Sequence, residues 1–267
     1  MMNKKIAVTI FILLVLLNTS FVCAEEKAKT GADPTDFITR IEPSYEHVNL
    51  EGGSSRDLFV VRADVAIRRD LSFRLDIPLS SYDPGTTLRG AGFDEEFGTG
   101  DLVSQIIYKP FSNEKGAVAV GMRIDWPIGS ADELTAGGIV YSPMLVGAWF
   151  PAKGWGVYPV LQWNLADNLD NNPLPGDSDK NELSYRQIFI YQPMTQYVSW
   201  LMLDPELIID FENDDKTSLD IGLEYGKMIN KNIALFCKPT IGVNDSDKDW
   251  AVKVGFRYMF HDVVLFK

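Results

Sequence analysis

Leu71-Ser72-Phe73-Arg74-Leu75-Asp76-Ile77-Pro78-Leu79 alternates apolar and polar side chains along its whole length. Successive side chains of a strand point to opposite faces, so Leu71, Phe73, Leu75, Ile77 and Leu79 share one face while Ser72, Arg74 and Asp76 share the other. The split recurs along the chain. Val118, Val120, Met122, Ile124 and Trp126 oppose Arg123 and Asp125; Leu219, Ile221, Leu223 and Tyr225 oppose Asp220 and Glu224; Val252, Val254, Phe256, Tyr258 and Phe260 oppose Lys253 and Arg257. This period-two pattern predicts strands near 39–49, 57–67, 71–80, 99–109, 117–128, 138–149, 155–165, 183–193, 197–211, 217–228, 232–243 and 249–260.

The joins between these segments differ systematically. Those after the second, fourth, sixth, eighth and tenth are compact: Arg68-Arg69-Asp70, Phe111 to Gly116, Pro151 to Gly154, Met194-Thr195-Gln196 and Ile229 to Asn232. The alternate joins are mostly longer, more acidic or glycine-rich, among them Ser81 to Gly98, Gly129 to Gly137 and Ala166 to Glu182. A soluble sandwich also alternates, but its turns need not differ in this way. Short turns on one rim, long polar loops on the other and an even strand number predict an all-β transmembrane antiparallel up-and-down barrel of twelve strands, spanning 39–260, with both termini on the short-turn rim. Lipid offers the backbone no hydrogen bonds, so a sheet within it must close on itself.

The N-terminus fits export to such a membrane. Lys4 and Lys5 precede an apolar run from Ile6 to Leu17, and Val22-Cys23-Ala24 stands before Glu25, so residues 1–24 read as a signal peptide cut after Ala24. Cys23 invites a lipoprotein reading, but Phe21 and Val22 stand where a lipidation signal has small residues. Residues 25–38 read as a polar periplasmic segment, free or folded into the lumen, and residues 261–267 as a short tail. Removing the leader takes away two lysines and no acids, leaving 23 basic against 37 acidic residues, a net charge of -14. That balance argues against nucleic acid as a partner. One cysteine, Cys237, remains, so an internal disulfide framework is excluded.

Tyr108, Trp126, Tyr141, Trp149, Trp155, Trp163, Tyr197, Trp200, Tyr225, Trp250, Tyr258 and Phe260 fall mainly near strand ends, as an interfacial girdle requires. Prolines 78, 127, 143, 159, 205 and 239 each remove a ladder donor, which predicts bulges or strand ends there.

The last strand carries Lys253, Gly255, Tyr258 and Phe260 in the spacing of the barrel-assembly signal of outer-membrane proteins, which it resembles. That signal usually ends the chain, whereas His261 to Lys267 follow here, and Phe266 competes for the role. A wider series is Gly98-Thr99-Gly100-Asp101, Trp126-Pro127-Ile128-Gly129, Tyr141-Ser142-Pro143, Leu203-Asp204-Pro205 and Gly255 to Phe260. In order and spacing it resembles the outer-membrane family named for the MetA pathway of phenol degradation. The resemblance implies an outer-membrane barrel, with some members associated with uptake of aromatic or other hydrophobic compounds, and it carries over no ligand residues.

The inward face is expected to hold Arg62 with Asp64, Arg74 with Asp76, Arg123 with Asp125, Asp204 with Glu206, Asp220 with Glu224, and Lys253 with Arg257. Such rows either tune permeation or satisfy one another and fill the lumen. Catalytic readings find no oriented pair, since Ser44 and His47 fall on opposite strand faces and His261 lies beyond the last strand. Gly98-Thr99-Gly100 lacks the following helix of a phosphate loop, and Asp245 to Asp249 lacks the glycine and distal acid of a calcium loop; both read as turns, and no cofactor or metal is expected. The acidic loops Asp167 to Asp179 and Glu212 to Asp215 read as solvated, with weak divalent binding beside lipopolysaccharide as the alternative.

The expectation is therefore a non-enzymatic outer-membrane channel or transporter for small, including hydrophobic, molecules. Two alternatives stay open: a non-conducting barrel with a plugged lumen, and a soluble periplasmic β protein. Expected partners are outer-membrane lipid, lipopolysaccharide, the barrel-assembly machinery and a small hydrophobic solute.

Overall fold

The computed structural model describes residues 30–85, 95–130, 134–135, 137–166, 180–193, 198–212, 216–244, 246–261 and 263–266. The expected leader, residues 25–29, the acidic loop Asp167 to Asp179, the Met194-Thr195-Gln196 turn, and parts of the Ser81 to Gly98 and Glu212 to Asp215 loops lie outside them.

The strands are β1 (Thr39–Leu50), β2 (Ser55–Arg68), β3 (Leu71–Asp83), β4 (Glu96–Thr99), β5 (Leu102–Asn113), β6 (Gly116–Trp126), β7 (Val140–Trp149), β8 (Trp155–Ala166), β9 (Lys180–Tyr191), β10 (Ser199–Asp210), β11 (Lys216–Met228), β12 (Ile233–Val243) and β13 (Lys248–Phe260). All pairings are antiparallel and join neighbours in sequence, except that β3 takes both β4 and β5 and that β1 pairs with β13, from Thr39 opposite Phe260 to Leu50 opposite Lys248, with one register shift after Asn49. That last ladder closes the sheet into a twelve-position barrel, as the sequence predicts.

One predicted strand, 99–109, is broken in two. β5 pairs with Leu71 to Asp76 of β3, and β4 pairs with Leu79 to Tyr82, one step out of register. Pro78 stands at the slip, where its carbonyl accepts the Gly100 N–H at 3.2 Å and its ring nitrogen can donate nothing back. Pro127 lies just past the end of β6. The other prolines depart from expectation. Pro143, Pro159, Pro205 and Pro239 stay inside β7, β8, β10 and β12 without a bulge; each interrupts the ladder toward one neighbour, and the register resumes unchanged beyond it. Partners on the other side hold Pro159, Pro205 and Pro239 in line, opposite Gln187, Ile221 and Val252.

Tight turns at the rim bearing both chain ends have local causes. The Asn113 carboxamide oxygen accepts the N–H groups of Lys115 and Gly116, and that of Asn230 does the same for Asn232 and Ile233, at 2.8–3.0 Å. Gly154, between β7 and β8, has φ +80°, and a Cβ there would stand 2.6 Å from the Gln192 carbonyl oxygen.

The side-chain pattern is inverted relative to a soluble protein. On β3, Ile77 is 49% exposed and its neighbour Asp76 only 8%. The same holds around the wall, where Tyr45, Phe59, Ile106, Val120, Leu145, Leu161, Leu203, Leu235, Val254 and Phe256 form an exposed outer belt. This belt removes the reading of a soluble β protein, whose polar face would lie outward. Trp126, Trp149, Trp155, Trp163 and Trp250 are exposed in it as the girdle requires. Trp200 is not: it points inward and is 1% exposed.

A charge placed in the belt tests its contact with lipid. Val254→Arg is expected to lower stability by about 2–4 kcal/mol, read as a shift in the denaturant midpoint of the protein folded into lipid vesicles.

Candidate functional site: the barrel lumen

Alternation assigns one residue in two to the interior, and the register sets which of them meet. Toward the rim with the chain ends, the wall turns Tyr158, Ile188, Trp200, Met202, Phe236 and Met259 inward as one apolar layer. Trp200, Tyr158 and Met259 are among the most completely buried side chains of the described residues. Gly226 and Gly255 make room for the rings, since a Cβ would strike Trp200 at 1.9 Å in the first case and Phe236 at 2.7 Å in the second.

Residues 30–38 do not hang free. They fold into the lumen, where Ala32 and Ile38 join the apolar layer. The Lys109 ammonium donates to the Thr35 carbonyl at 2.8 Å and lies 4.9 Å from the Phe37 ring centre, and the Arg40 guanidinium donates to the Gly31 carbonyl. A cavity of about 30 Å³ between this segment and the wall is lined by Asp33, Asp36, Arg40, Asp64, Arg74 and Gln105, room for a single water.

Beyond the apolar layer the interior is charged. Arg62, Asp64, Arg74 and Asp76 pair across strands: Arg62 holds Asp76 through two hydrogen bonds of 2.8 and 2.9 Å, and Asp64 accepts from both Arg74 and Arg40 at 2.7 Å. Arg123 and Asp125 pair along one strand, at 2.7 and 2.9 Å. Asp204 accepts from Arg186 at 2.5 Å and Lys238 at 2.6 Å, while Glu206 accepts from Ser184 at 2.7 Å. Asp220 accepts from Ser246 at 2.6 Å and from Lys248. Lys253 stands between Glu46 of β1, at 4.0 Å, and Lys238 of β12 as its cross-strand neighbours.

Arg257 sits where the two layers meet. Its Nε donates to Glu42 at 2.5 Å and its Nη2 to Glu224 at 3.1 Å, and Glu224 also accepts the Trp200 indole N–H at 2.7 Å. The guanidinium carbon lies 4.4 Å from the Phe236 ring centre and 5.1 Å from that of Trp200, within cation–π range. Its Nη1 has no partner among the described residues.

Sequence reasoning missed Arg40, Glu42, Arg186, Lys238 and Lys248 as partners of the rows it singled out. Extending the period-two reading along β1 would have placed Arg40 and Glu42 on the inner face. Ser44 and His47 do face opposite ways, and His47 Nδ1 lies 2.7 Å from Asp57 on the outside of the wall, with its ring 5.3 Å from that of Trp250. Of the residues resembling an assembly signal, Lys253 and Gly255 point inward, while Tyr258 and Phe260 point outward with ring centres 4.8 Å apart.

No family model and no curated protein matches the sequence. Solved structures do match the fold. An outer-membrane channel from Pseudomonas putida F1 is similar with a TM-score of 0.68 at 11% identity, covering 86% of this chain and all of that one. The NanC porin is similar at 0.56 with 10% identity over 83% of this chain and all of its own, and the KdgM porin at 0.54 with 12% identity over 83% and 99%. The chain thus has the fold of outer-membrane β-barrels.

Removing Arg257 from the Glu42–Arg257–Glu224 group takes the hydrogen-bonded cation from two buried carboxylates, of which Glu42 keeps Arg62 at 3.6 Å. Arg257→Met is expected to cost about 3–5 kcal/mol, and adding Glu42→Gln and Glu224→Gln to recover part of it, both read from equilibrium unfolding.

Proposed function

We propose that this protein is an outer-membrane channel for passive uptake of small molecules, with hydrophobic or aromatic solutes as its preferred class. The observation that carries the solute class is the apolar inner layer of Tyr158, Ile188, Trp200, Met202, Phe236 and Met259, facing the lumen where a path for hydrated solutes would be polar. The sequence's resemblance to the MetA-pathway family supports the same class. The rim with both chain ends is then periplasmic, the residues before the barrel follow export through the inner membrane, and the outer belt meets lipid and lipopolysaccharide. Lys253, Gly255, Tyr258 and Phe260 serve in this reading as the signal to the barrel-assembly machinery.

A second reading, a closed barrel with a surface or structural role, is favoured by one observation: Ala32 and Ile38 occupy the apolar layer itself.

Planar-bilayer recording of the refolded mature chain separates the two. The channel reading expects small conductance steps that added phenol blocks, and weaker block in Trp200→Ala, which opens the apolar layer. Inserted protein that gives no steps and no phenol effect would put the structural reading first.

A further inference from the structure

β2 outruns its partner. The β1–β2 ladder ends at Arg40 opposite Asp64, because the chain before Thr39 turns into the lumen, yet β2 continues to Arg68. On its other side the register with β3 slips between Ala66 and Arg68, so Ile67 stands outside that ladder too. An unpaired strand end at the rim of a barrel is a ready template for another strand.

The C-terminal tail fills it. Leaving β13, it crosses beneath the start of β1, and the N–H groups of Leu265 and Phe266 donate to the carbonyls of Ala66 and Ile67 at 3.2 and 2.8 Å. Thr39, where the luminal segment becomes β1, ties the corner: its hydroxyl accepts the Ala66 N–H at 3.1 Å and donates to the Val263 carbonyl at 2.7 Å. The tail buries little in return, since Val263, Leu265 and Phe266 are 43, 58 and 63% exposed. A segment held by a few exposed hydrogen bonds detaches at low cost.

The luminal segment fits the same edge. Continuing the register in which Arg40 faces Asp64 sets Ile38 opposite Ala66, Phe37 opposite Ile67 and Asp36 opposite Arg68. Alternation would then turn Phe37 outward, among the interfacial aromatics, and set an acid against a base at the rim. Reaching that edge requires the Lys109 to Thr35, Arg40 to Gly31 and Tyr158 to Asp33 contacts to break and withdraws Ala32 from the apolar layer.

We infer that the C-terminal tail and the luminal segment compete for the Ala66–Ile67 edge of β2, so that docking of the tail keeps the segment inside the lumen and release of the tail lets it leave. The consequence for transport rests on the lumen being the solute path; the competition itself does not.

The test is disulfide trapping in the folded mature chain carrying Cys237→Ala, with a heat-dependent gel shift reporting the barrel. One pair is Ile67→Cys with Phe266→Cys, the other Phe37→Cys with Ile67→Cys. In the full chain the first pair should oxidise readily and the second slowly. Ending the chain at His261 should speed the second about tenfold, the effect of removing two competing hydrogen bonds. Leu265→Pro with Phe266→Pro, which removes both donors at unchanged length, should do the same and replaces the truncation if that fails to fold. Equal rates for the Phe37–Ile67 pair with and without the tail would overturn the competition. Faster trapping with unchanged bilayer conductance would uphold it and overturn the lumen as the solute path.

Discussion

Every backbone N–H and C=O within the lipid-facing belt has to find its partner inside the wall, because hydrocarbon offers none. The ladder between β1 and β13 meets that demand by leaving the sheet no edge at membrane depth. The inverted side-chain pattern follows directly. With lipid outside, apolar residues can face outward without cost, and the charged half of each strand can only go to the lumen. The constraint also explains the prolines: each takes a donor from one neighbour, and the ladder on the other side holds the strand to its register.

Inside, the charges face a second constraint, that of desolvation. Carboxylates and cations brought into a narrow lumen are costly unless paired, and the wall pairs them largely across strands, acid against base at matched levels. Arg62 with Asp76 and Arg74 with Asp64 are of this kind, while Arg186 reaches Asp204 diagonally and Lys238 reaches it across β11. Arg257 adds a different element, a cation held between two carboxylates and two aromatic rings at the boundary of the apolar layer. A lumen that is ion-paired in one section and apolar in the next differs from a uniformly hydrated pore.

Much of the wall was legible in the sequence because period two is imposed by the backbone and the apolar half is imposed by lipid; both act on every strand alike. The strand positions, the compact joins and the inner rows at Arg62, Arg74, Arg123 and Lys253 could be read from that alternation. The partners of those rows could not. A period of two tells which face a residue takes but not which residue stands across from it: Arg62 and Asp64 share the inner face of β2, and only the register gives Arg62 its partner Asp76. Trp200 was misplaced for a related reason: an aromatic near a strand end suits the girdle, and only its even position in β10 reveals that it faces Glu224. Pro78 marks its irregularity in the sequence, but the division of the facing strand into β4 and β5, and the seating of residues 30–38, depend on tertiary packing that no local pattern encodes.

The closing ladder joins Thr39 to Phe260, near opposite ends of the described chain, whereas every other strand pairs with a near neighbour in sequence. Hairpins such as β5–β6 and β11–β12 can form early at small entropic cost, and the β1–β13 pairing can form only once the rest of the wall brings its two ends together. Until then the sheet carries two free edges and an apolar face, the features that make folding intermediates stick to one another. The lifetime of that open sheet, and with it the yield of folded protein, is set by a single long-range step.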